Sequence, residues 1–468
     1  MIQYDALEIL KTGRNVFLTG PAGSGKTHVL NSYIKYLKSN SVEVAVTAST
    51  GIAATHLGGQ TIHSWSGLGI RSTLTERDID DLIQKKYLYK KFEKTKVLII
   101  DEISMLSDNR LDMVEWICRR MKYNERAFGG MQIVMSGDFF QLPPINRFDQ
   151  GREEFGYKGE SWSRANLTVC YLTEQHRQKD NTYLSILNQI RQNAVTEKTV
   201  DLLKTRLDAH TDGEVESTRL YTHNVDVDAV NKKHLDLIEG QVRSYRMTSR
   251  GSANIVSTLK KSCLSPEILE LKKGAKVMFT KNHPEGAYVN GTLGIISDFN
   301  SFGDPVVKMN SGMHFSVMPQ SWRIEEEGKV KAEINQLPLR LAWAITVHKS
   351  QGMSLDAMEV DLSKSFVCGM GYVALSRVRS LSGMKLLGFN DMSLEVDGEV
   401  LAHDLQFQRM SDDALAVLVQ TTREDILQAQ KTYLEASRSK GSTQSSEKKT
   451  KSKKKSFFWK SRRKAEFY

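Results

Sequence analysis

Gly20-Pro21-Ala22-Gly23-Ser24-Gly25-Lys26-Thr27 constrains this chain more than any other stretch. The run before it, Asn15-Val16-Phe17-Leu18-Thr19, is short, apolar and β-prone. After it, Val29, Leu30, Tyr33, Ile34 and Leu37 recur at helical spacing. The pattern predicts a strand, a glycine-rich turn and a helix, which is the setting of a phosphate loop. Gly20, Gly23 and Gly25 let the backbone wrap an anion and turn its N–H groups inward. The helix N-terminus adds positive partial charge. Lys26 is then placed to reach β- and γ-phosphates, and the Thr27 hydroxyl to ligate Mg²⁺.

The fold class follows from what surrounds this loop. Strand-like runs at Val16–Thr19, Val42–Thr47, Val97–Ile100 and Gln132–Ser136 alternate with helical patterns over residues 1–165, which predicts a parallel α/β sheet. A charged, helix-like insert interrupts it at Leu74–Lys96. A second α/β set is expected from Arg219–Thr222, Leu341–Thr346, Ala357–Asp361 and Lys385–Leu387. Between Gly274 and Leu337, short alternating runs separated by Gly, Asn and Pro turns predict a small β-barrel or sandwich. Ser411–Ser437 reads as one or two terminal helices. A chain of 468 residues is in any case too long for one core.

Composition excludes several classes. No apolar run approaches the ~18 residues of a membrane span, and Met1-Ile2-Gln3-Tyr4-Asp5 opens no secretory signal. Four scattered cysteines, Cys118, Cys170, Cys263 and Cys368, suggest neither zinc site nor disulfide framework, so a reducing compartment fits. The net charge of +10 is concentrated: twelve Lys/Arg face two Glu from Arg438 to Tyr468, and the rest of the chain is neutral. That Ser/Lys/Thr-rich tail, 438–468, buries too little apolar surface to fold alone.

Val97-Leu98-Ile99-Ile100-Asp101-Glu102 is a buried-strand run ending in two carboxylates. Beside a phosphate loop, Asp101 would hold Mg²⁺ and Glu102 would take the proton of the attacking water. Ile133 to Pro144 reads as another strand and a polar turn, where Gln141 can sense a γ-phosphate by hydrogen bonding. Arg177 and Arg377, both assigned to the second α/β half, are candidates to stabilise γ-phosphate charge from across a cleft.

In this order the motifs resemble the Pif family of superfamily-one DNA helicases, of the 5′→3′ branch, with RecD-like and Dda helicases as more distant relatives. The resemblance rests on Gly20–Thr27, Thr47–Ala54, Gly59–Ser64, Ile100–Met105, Gly137–Pro144, His176–Gln178, Thr346–Gly352 and Tyr372–Arg379. It rests also on a Pif-type signature over Leu111–Gln132 containing Phe128-Gly129-Gly130. One departure is Gly369-Met370-Gly371-Tyr372, where the family has Gly-Gln-x-Tyr. The resemblance implies two RecA-like motor domains, 1–165 and 166–273 with 338–400, with ATP and Mg²⁺ between them. It further implies a strand-separating wedge insert (about 68–96) and an SH3-like β subdomain at 274–337, followed by helices at 401–437. Gln3 matches the family's adenine-reading glutamine. Thr50, Thr61, His63, His348, Ser350 and Gln351 match positions that touch the single strand. Their hydroxyl, imidazole and amide groups suit phosphate contact without base reading. Trp65 reads either as a stacking platform or as a buried core residue.

The resulting expectation is an ATP-dependent 5′→3′ DNA helicase, a monomeric motor working on single-stranded and forked DNA in genome maintenance, with no membrane association. In a bacterium it would be cytoplasmic and nucleoid-associated; nuclear or mitochondrial placement stays open, as do its protein partners. Two alternatives remain at this point: a single-strand-binding switch ATPase that does not unwind, and an RNA-directed remodeller.

Overall fold

The computed structural model describes residues 1–69, 71–144, 154–178, 180–210, 217–221, 227–283, 285, 287–309, 311–326, 329–347, 350, 353–365 and 367–438. Its first sheet has six parallel strands: β1 (Val16–Thr19), β2 (Val44–Ala48), β3 (Gln60–Thr61), β4 (Val97–Asp101), β5 (Gln132–Ser136) and β6 (Thr168–Tyr171), in the order β3-β2-β4-β5-β1-β6. Side chains alternate across the pleat. Phe17, Leu98, Ile100, Ile133 and Met135 enter one core; Val16, Leu18, Val97, Ile99 and Val134 enter the other. Helices cover both faces, so β1, β4 and β5 are buried along their whole length. The turns after β1, β4 and β5 leave the same end of the sheet, where ligands bind in open α/β folds.

β6 extends this sheet past the expected boundary at residue 165. It pairs with β1 from Val16↔Thr168 to Thr19↔Tyr171, and its Val169, Cys170 and Tyr171 are buried. The C-terminal helices, Gly398–Gln420 and Arg423–Ser437, pack back on this first sheet. Ser411 Oγ accepts the Tyr171 N–H at 3.0 Å, and Tyr433 Oη donates to Gln132 Oε1 at 2.7 Å.

The insert is a pair of helices, Glu76–Gln84 and Lys86–Lys94. The Thr75 hydroxyl caps the first by accepting the Asp78 N–H, and the Asp78 carboxylate returns to the Thr75 N–H at 2.9 Å. Lys122 Nζ donates to the carbonyls of Phe92, Glu93 and Thr95 at 2.9, 3.3 and 2.9 Å, closing the end of the second helix. Trp65 packs against Phe92 with ring centroids 4.5 Å apart and is 2% exposed, so it is a core residue.

The second parallel sheet runs Ala344–Thr346, Thr218–Tyr221, Met358–Leu362, Met384–Phe389. The run read as one strand, Leu341–Thr346, is divided. Leu339–Leu341 pairs antiparallel with Lys276–Phe279, and Ala344–Thr346 joins the parallel sheet. The Asn231 side chain covers the outer edge of the second piece, pairing with both the N–H and the C=O of Ala344 at 3.0 and 2.9 Å.

Between the strands of this sheet lies the β-rich insert, broader than the 274–337 expected. A five-stranded antiparallel sheet runs His314–Ser316, Pro305–Met309, Leu293–Phe299, Lys276–Phe279, Leu339–Leu341. A three-stranded sheet (Gln320–Glu326, Lys329–Gln336, Thr248–Gly251) and a two-stranded one (Ile268–Leu271, Arg243–Arg246) flank it. Among the described residues these pairings form open sheets and close no barrel. Among those residues, too, all four cysteines are free, no helix is long and apolar enough to cross a membrane, and no three His, Cys, Asp or Glu cluster as metal ligands. Residues 439–468, most of the basic tail, lie outside the described residues.

Candidate active site

A cavity of about 1050 Å³ opens between the first sheet and the elements that follow it. Ala22, Gly23, Gly25, Lys26 and Thr27 line it from the loop after β1, Asp101 and Glu102 from the end of β4, Gln141 from the turn after β5, and Arg177 and Arg377 from beyond the sheet.

The loop is glycine-bound by close approach as well as by φ. Gly20 has φ +134°, and a Cβ there would lie 2.4 Å from the Leu172 carbonyl oxygen; Gly23 has φ +88°, and a Cβ would lie 2.6 Å from Cβ of Arg177. Lys26 starts the helix Lys26–Ser39. Its ammonium donates to the Gly20 and Pro21 carbonyls at 2.8 and 3.1 Å, which folds it back over the loop. Among the described residues, Ser24 Oγ is buried without a hydrogen-bond partner. Gln3 begins the first helix and lies against the loop: its Nε2 donates to the Ser24 carbonyl at 3.2 Å, and its N–H donates to Glu174 at 2.9 Å.

The two carboxylates differ in setting. Asp101 closes β4, and its Oδ1 accepts the Glu102 N–H at 3.0 Å. Glu102 stands at φ +52°, in the left-handed region that costs a non-glycine residue energy. Ser49 holds it there, donating its hydroxyl to the Glu102 carbonyl at 2.7 Å. Burial raises the pKa of Asp101. Burial, together with the Asp101 charge, pushes Glu102 up to about 7.

Gln141 and Arg377 meet across the cleft: Arg377 Nη2 donates to Gln141 Oε1 at 2.8 Å, and its Nε donates to the Val373 carbonyl at 2.9 Å. Arg377 is 1% exposed. In the chain, Arg177 lies six residues past the end of β6 and ahead of the second sheet. Its neighbour His176 donates its N–H to the Gly23 carbonyl at 3.0 Å, and its own Nη1 donates to the Ser376 carbonyl at 3.0 Å, so it bridges the phosphate loop and the second half. Burial lowers the pKa of Lys26, of Arg377, and of Arg177, which falls to about 9 with Arg377 beside it. An anion between them would relieve that cost. The chemistry supported is phosphoryl transfer, with cations on one side and a proton acceptor on the other.

The expected strand-contacting residues lie elsewhere. Thr50 and Thr61 are half-buried near the ends of β2 and β3, and each hydroxyl accepts a backbone N–H, from Ala53 and Ser64, both at 3.3 Å. His63 is half-buried, with Nε2 3.5 Å from Arg110 Nη1. Ser350 is fully buried and donates to the Val347 carbonyl at 2.7 Å, so its side chain offers no surface to a strand. His348 and Gln351 lie outside the described residues.

Sequence reasoning passed over Tyr372 as a site residue and missed Arg191 and Asp138 altogether. The Tyr372 phenol oxygen accepts the Ala22 N–H of the phosphate loop at 3.3 Å and Arg191 Nη1 at 3.2 Å. Arg191 Nη1 also pairs with Asp138 at 2.7 Å. Asp138 was visible within the Gly137–Pro144 motif; Arg191 carried no local signal.

A sequence model of the PIF1-like helicase family matches residues 4–201. The chain is 43% identical to the ATP-dependent DNA helicase Pif1 of Psychrobacter, over 93% of this chain and 75% of that relative. It superposes on a crystal structure of Bacteroides Pif1 in complex with ADP-AlF4 with a TM-score of 0.76 at 30% identity, covering 87% of this chain and 96% of that one. A Bacteroides Pif1 structure with ADP-AlF3 and single-stranded DNA matches at a TM-score of 0.60 and 29% identity, over 87% and 96% of the two chains. With its phosphate loop, paired carboxylates and cross-cleft arginines in the arrangement described above, this chain belongs to the PIF1-like helicase family.

Proposed function

We propose that this chain is an ATP-dependent 5′→3′ DNA helicase that translocates on single-stranded DNA as a monomer, unwinds duplexes at forks, and serves genome maintenance. The observation that carries the reading is the convergence of Lys26, Arg177 and Arg377 with Asp101 and Glu102 around one phosphate-loop cavity. ATP entering it offers its phosphates to Lys26 in exchange for the Gly20 and Pro21 carbonyls. Gln3 lies where an adenine edge would arrive beside the loop. Arg377 and Arg177 stabilise charge that grows on the γ-phosphate, and Glu102 accepts the proton of the attacking water. Thr27 and Asp101 are a hard-oxygen pair suited to Mg²⁺, and the raised pKa values of the adjacent carboxylates favour a cation there. Held there, Mg²⁺ would supply charge neutralisation for the phosphates.

Gln141 bonds Arg377 across the cleft, so loss of the γ-phosphate is felt on both sides. The two parallel sheets act as motors that close and reopen on each ATP, and the helical insert Glu76–Lys94 acts as the wedge. Thr50, Thr61, His63, His348 and Gln351 contact the strand through its phosphates. The test is unwinding of matched 5′-tailed and 3′-tailed duplexes with ATP and Mg²⁺. Displacement of the 5′-tailed duplex alone is expected. Equal displacement of both, or of neither, would refute the assignment.

A further inference from the structure

Arg191 sits near the end of the helix Asn181–Arg191 and is 5% exposed. Both terminal nitrogens of its guanidinium are engaged, while its Nε is buried with no hydrogen-bond partner among the described residues. Nη1 donates to Asp138 Oδ1 at 2.7 Å and to the Tyr372 phenol at 3.2 Å; Nη2 donates to Asp404 Oδ1 at 3.0 Å and to the Tyr171 phenol at 3.1 Å. The plane of the group covers the Phe140 ring at 4.1 Å. Asp404 belongs to the C-terminal helix Gly398–Gln420 and is 6% exposed. Its second oxygen accepts from Tyr171 Oη at 3.1 Å and from Gln408 Nε2 at 2.8 Å.

From this hub two arms reach the ATP cavity. Through Tyr372, the hub holds the Ala22 N–H of the phosphate loop. Through Asp138, whose Oδ2 accepts Gln141 Nε2 at 3.3 Å, it holds the glutamine that positions Arg377. One guanidinium between two buried carboxylates is a geometry that an arginine fork can satisfy and a lysine cannot. Nothing about helix packing alone requires a charge at Asp404. The same helix is already tied to β6 by Ser411, and its Phe407 packs among Phe17, Phe139 and Trp162.

We infer that Asp404, on the C-terminal helix, is a positioning residue for ATP hydrolysis: it fixes Arg191, which sets the phosphate loop through Tyr372 and Arg377 through Asp138 and Gln141. The C-terminal helix is thereby part of the ATPase, not only a brace on the first sheet. The inference rests on the ATPase reading of the cavity.

The test uses the full chain and compares Asp404→Asn, Arg191→Lys and Ser411→Ala with wild type. It measures DNA-saturated ATP turnover, KM for ATP, single-strand affinity and the thermal midpoint. Asp404→Asn and Arg191→Lys are expected to lower kcat about tenfold, with KM for ATP and DNA affinity within twofold. Ser411→Ala removes a hydrogen bond of the same helix to β6 and leaves Arg191 untouched. It is expected to lower the thermal midpoint while kcat stays within twofold. Turnover within twofold of wild type in Asp404→Asn or Arg191→Lys would overturn the inference. So would a fall in Ser411→Ala equal to theirs, since that would reduce Asp404 to a structural anchor. Wild-type protein without ATP turnover would overturn the ATPase reading itself, which separates the two failures.

Discussion

Replacing Glu102 by glutamine is expected to stabilise the ligand-free protein while it cripples turnover. Glu102 is pushed from the ordinary 4.5 up to about 7 by burial and by Asp101. Between those values the folded chain keeps a proton that the unfolded chain has released. Stability therefore falls as pH rises through that window, and the full cost is present above pH 7. A rise of that size corresponds to about 3 kcal/mol, an upper figure because water entering the cleft screens part of it. Glutamine matches the shape of the protonated acid and removes the titration. At pH 8 the variant is expected to melt higher by roughly 5–10 °C, taking ~2–4 °C per kcal/mol for a domain of this size. At pH 5, near the unfolded value of 4.5, the difference is expected to shrink to about a quarter of that. Turnover is expected to fall by ~10²–10⁴ with the proton acceptor gone. The acid limb of kcat/KM, measured with Mg²⁺ in excess so that ATP stays ionised, is expected to vanish with it. Melting curves at the two pH values and steady-state ATPase rates make the check. Equal melting differences at pH 5 and pH 8, or unchanged turnover, would refute the reasoning.

Lys26→Ala is expected to lower ATP hydrolysis at least ~100-fold and to leave single-strand affinity nearly unchanged; paired ATPase and fluorescence-anisotropy measurements decide it, and near wild-type hydrolysis in a folded variant counts against the phosphate-loop role. Arg177→Ala and Arg377→Ala are each expected to cut kcat by ~10³ while nucleotide affinity changes much less; loss of affinity at preserved kcat would assign them to ground-state binding. Deleting Lys448–Tyr468 is expected to weaken DNA binding at low salt and to flatten a log–log salt slope of about −4, the value for about six phosphates on a single strand, with DNA-saturated turnover intact; an unaltered slope would remove the tail from DNA binding.

Much of the site was legible because its chemistry is local in sequence. Gly20–Thr27 carries its own strand and helix signals, and Asp101 and Glu102 end a run too apolar to be anything but a buried strand. Periodicity also found most strands of both parallel sheets within a residue or two. The errors share one cause: the decisive partner is distant in sequence. Thr168–Tyr171 looks like the start of a new unit until it pairs with β1. Leu341–Thr346 is one apolar run by composition, and its division between two sheets is set by distant partners, Lys276–Phe279 for one end and Thr218–Tyr221 for the other. Ser350 carries a hydroxyl suited to phosphate, and its burial against Val347 is set by the fold.

The Arg191 hub is the extreme case, and it shows why the C-terminal helix is energetically inseparable from the cleft. Its acidic partners lie 53 and 213 residues from Arg191, and neither Asp138 nor Asp404 stands in a pattern that announces a pair. An isolated arginine at such a depth would be prohibitive, and so would two adjacent carboxylates without it. Each member is tolerable only once all three elements have docked. The hub therefore forms together with the tertiary structure and cannot be read from any one segment. The same interdependence makes it a rigid relay, because no member can shift without exposing an unpaired charge in the interior. A displacement of Gln141 or Tyr372 during the ATP cycle must then be carried by Arg191 to the C-terminal helix, or be resisted by it.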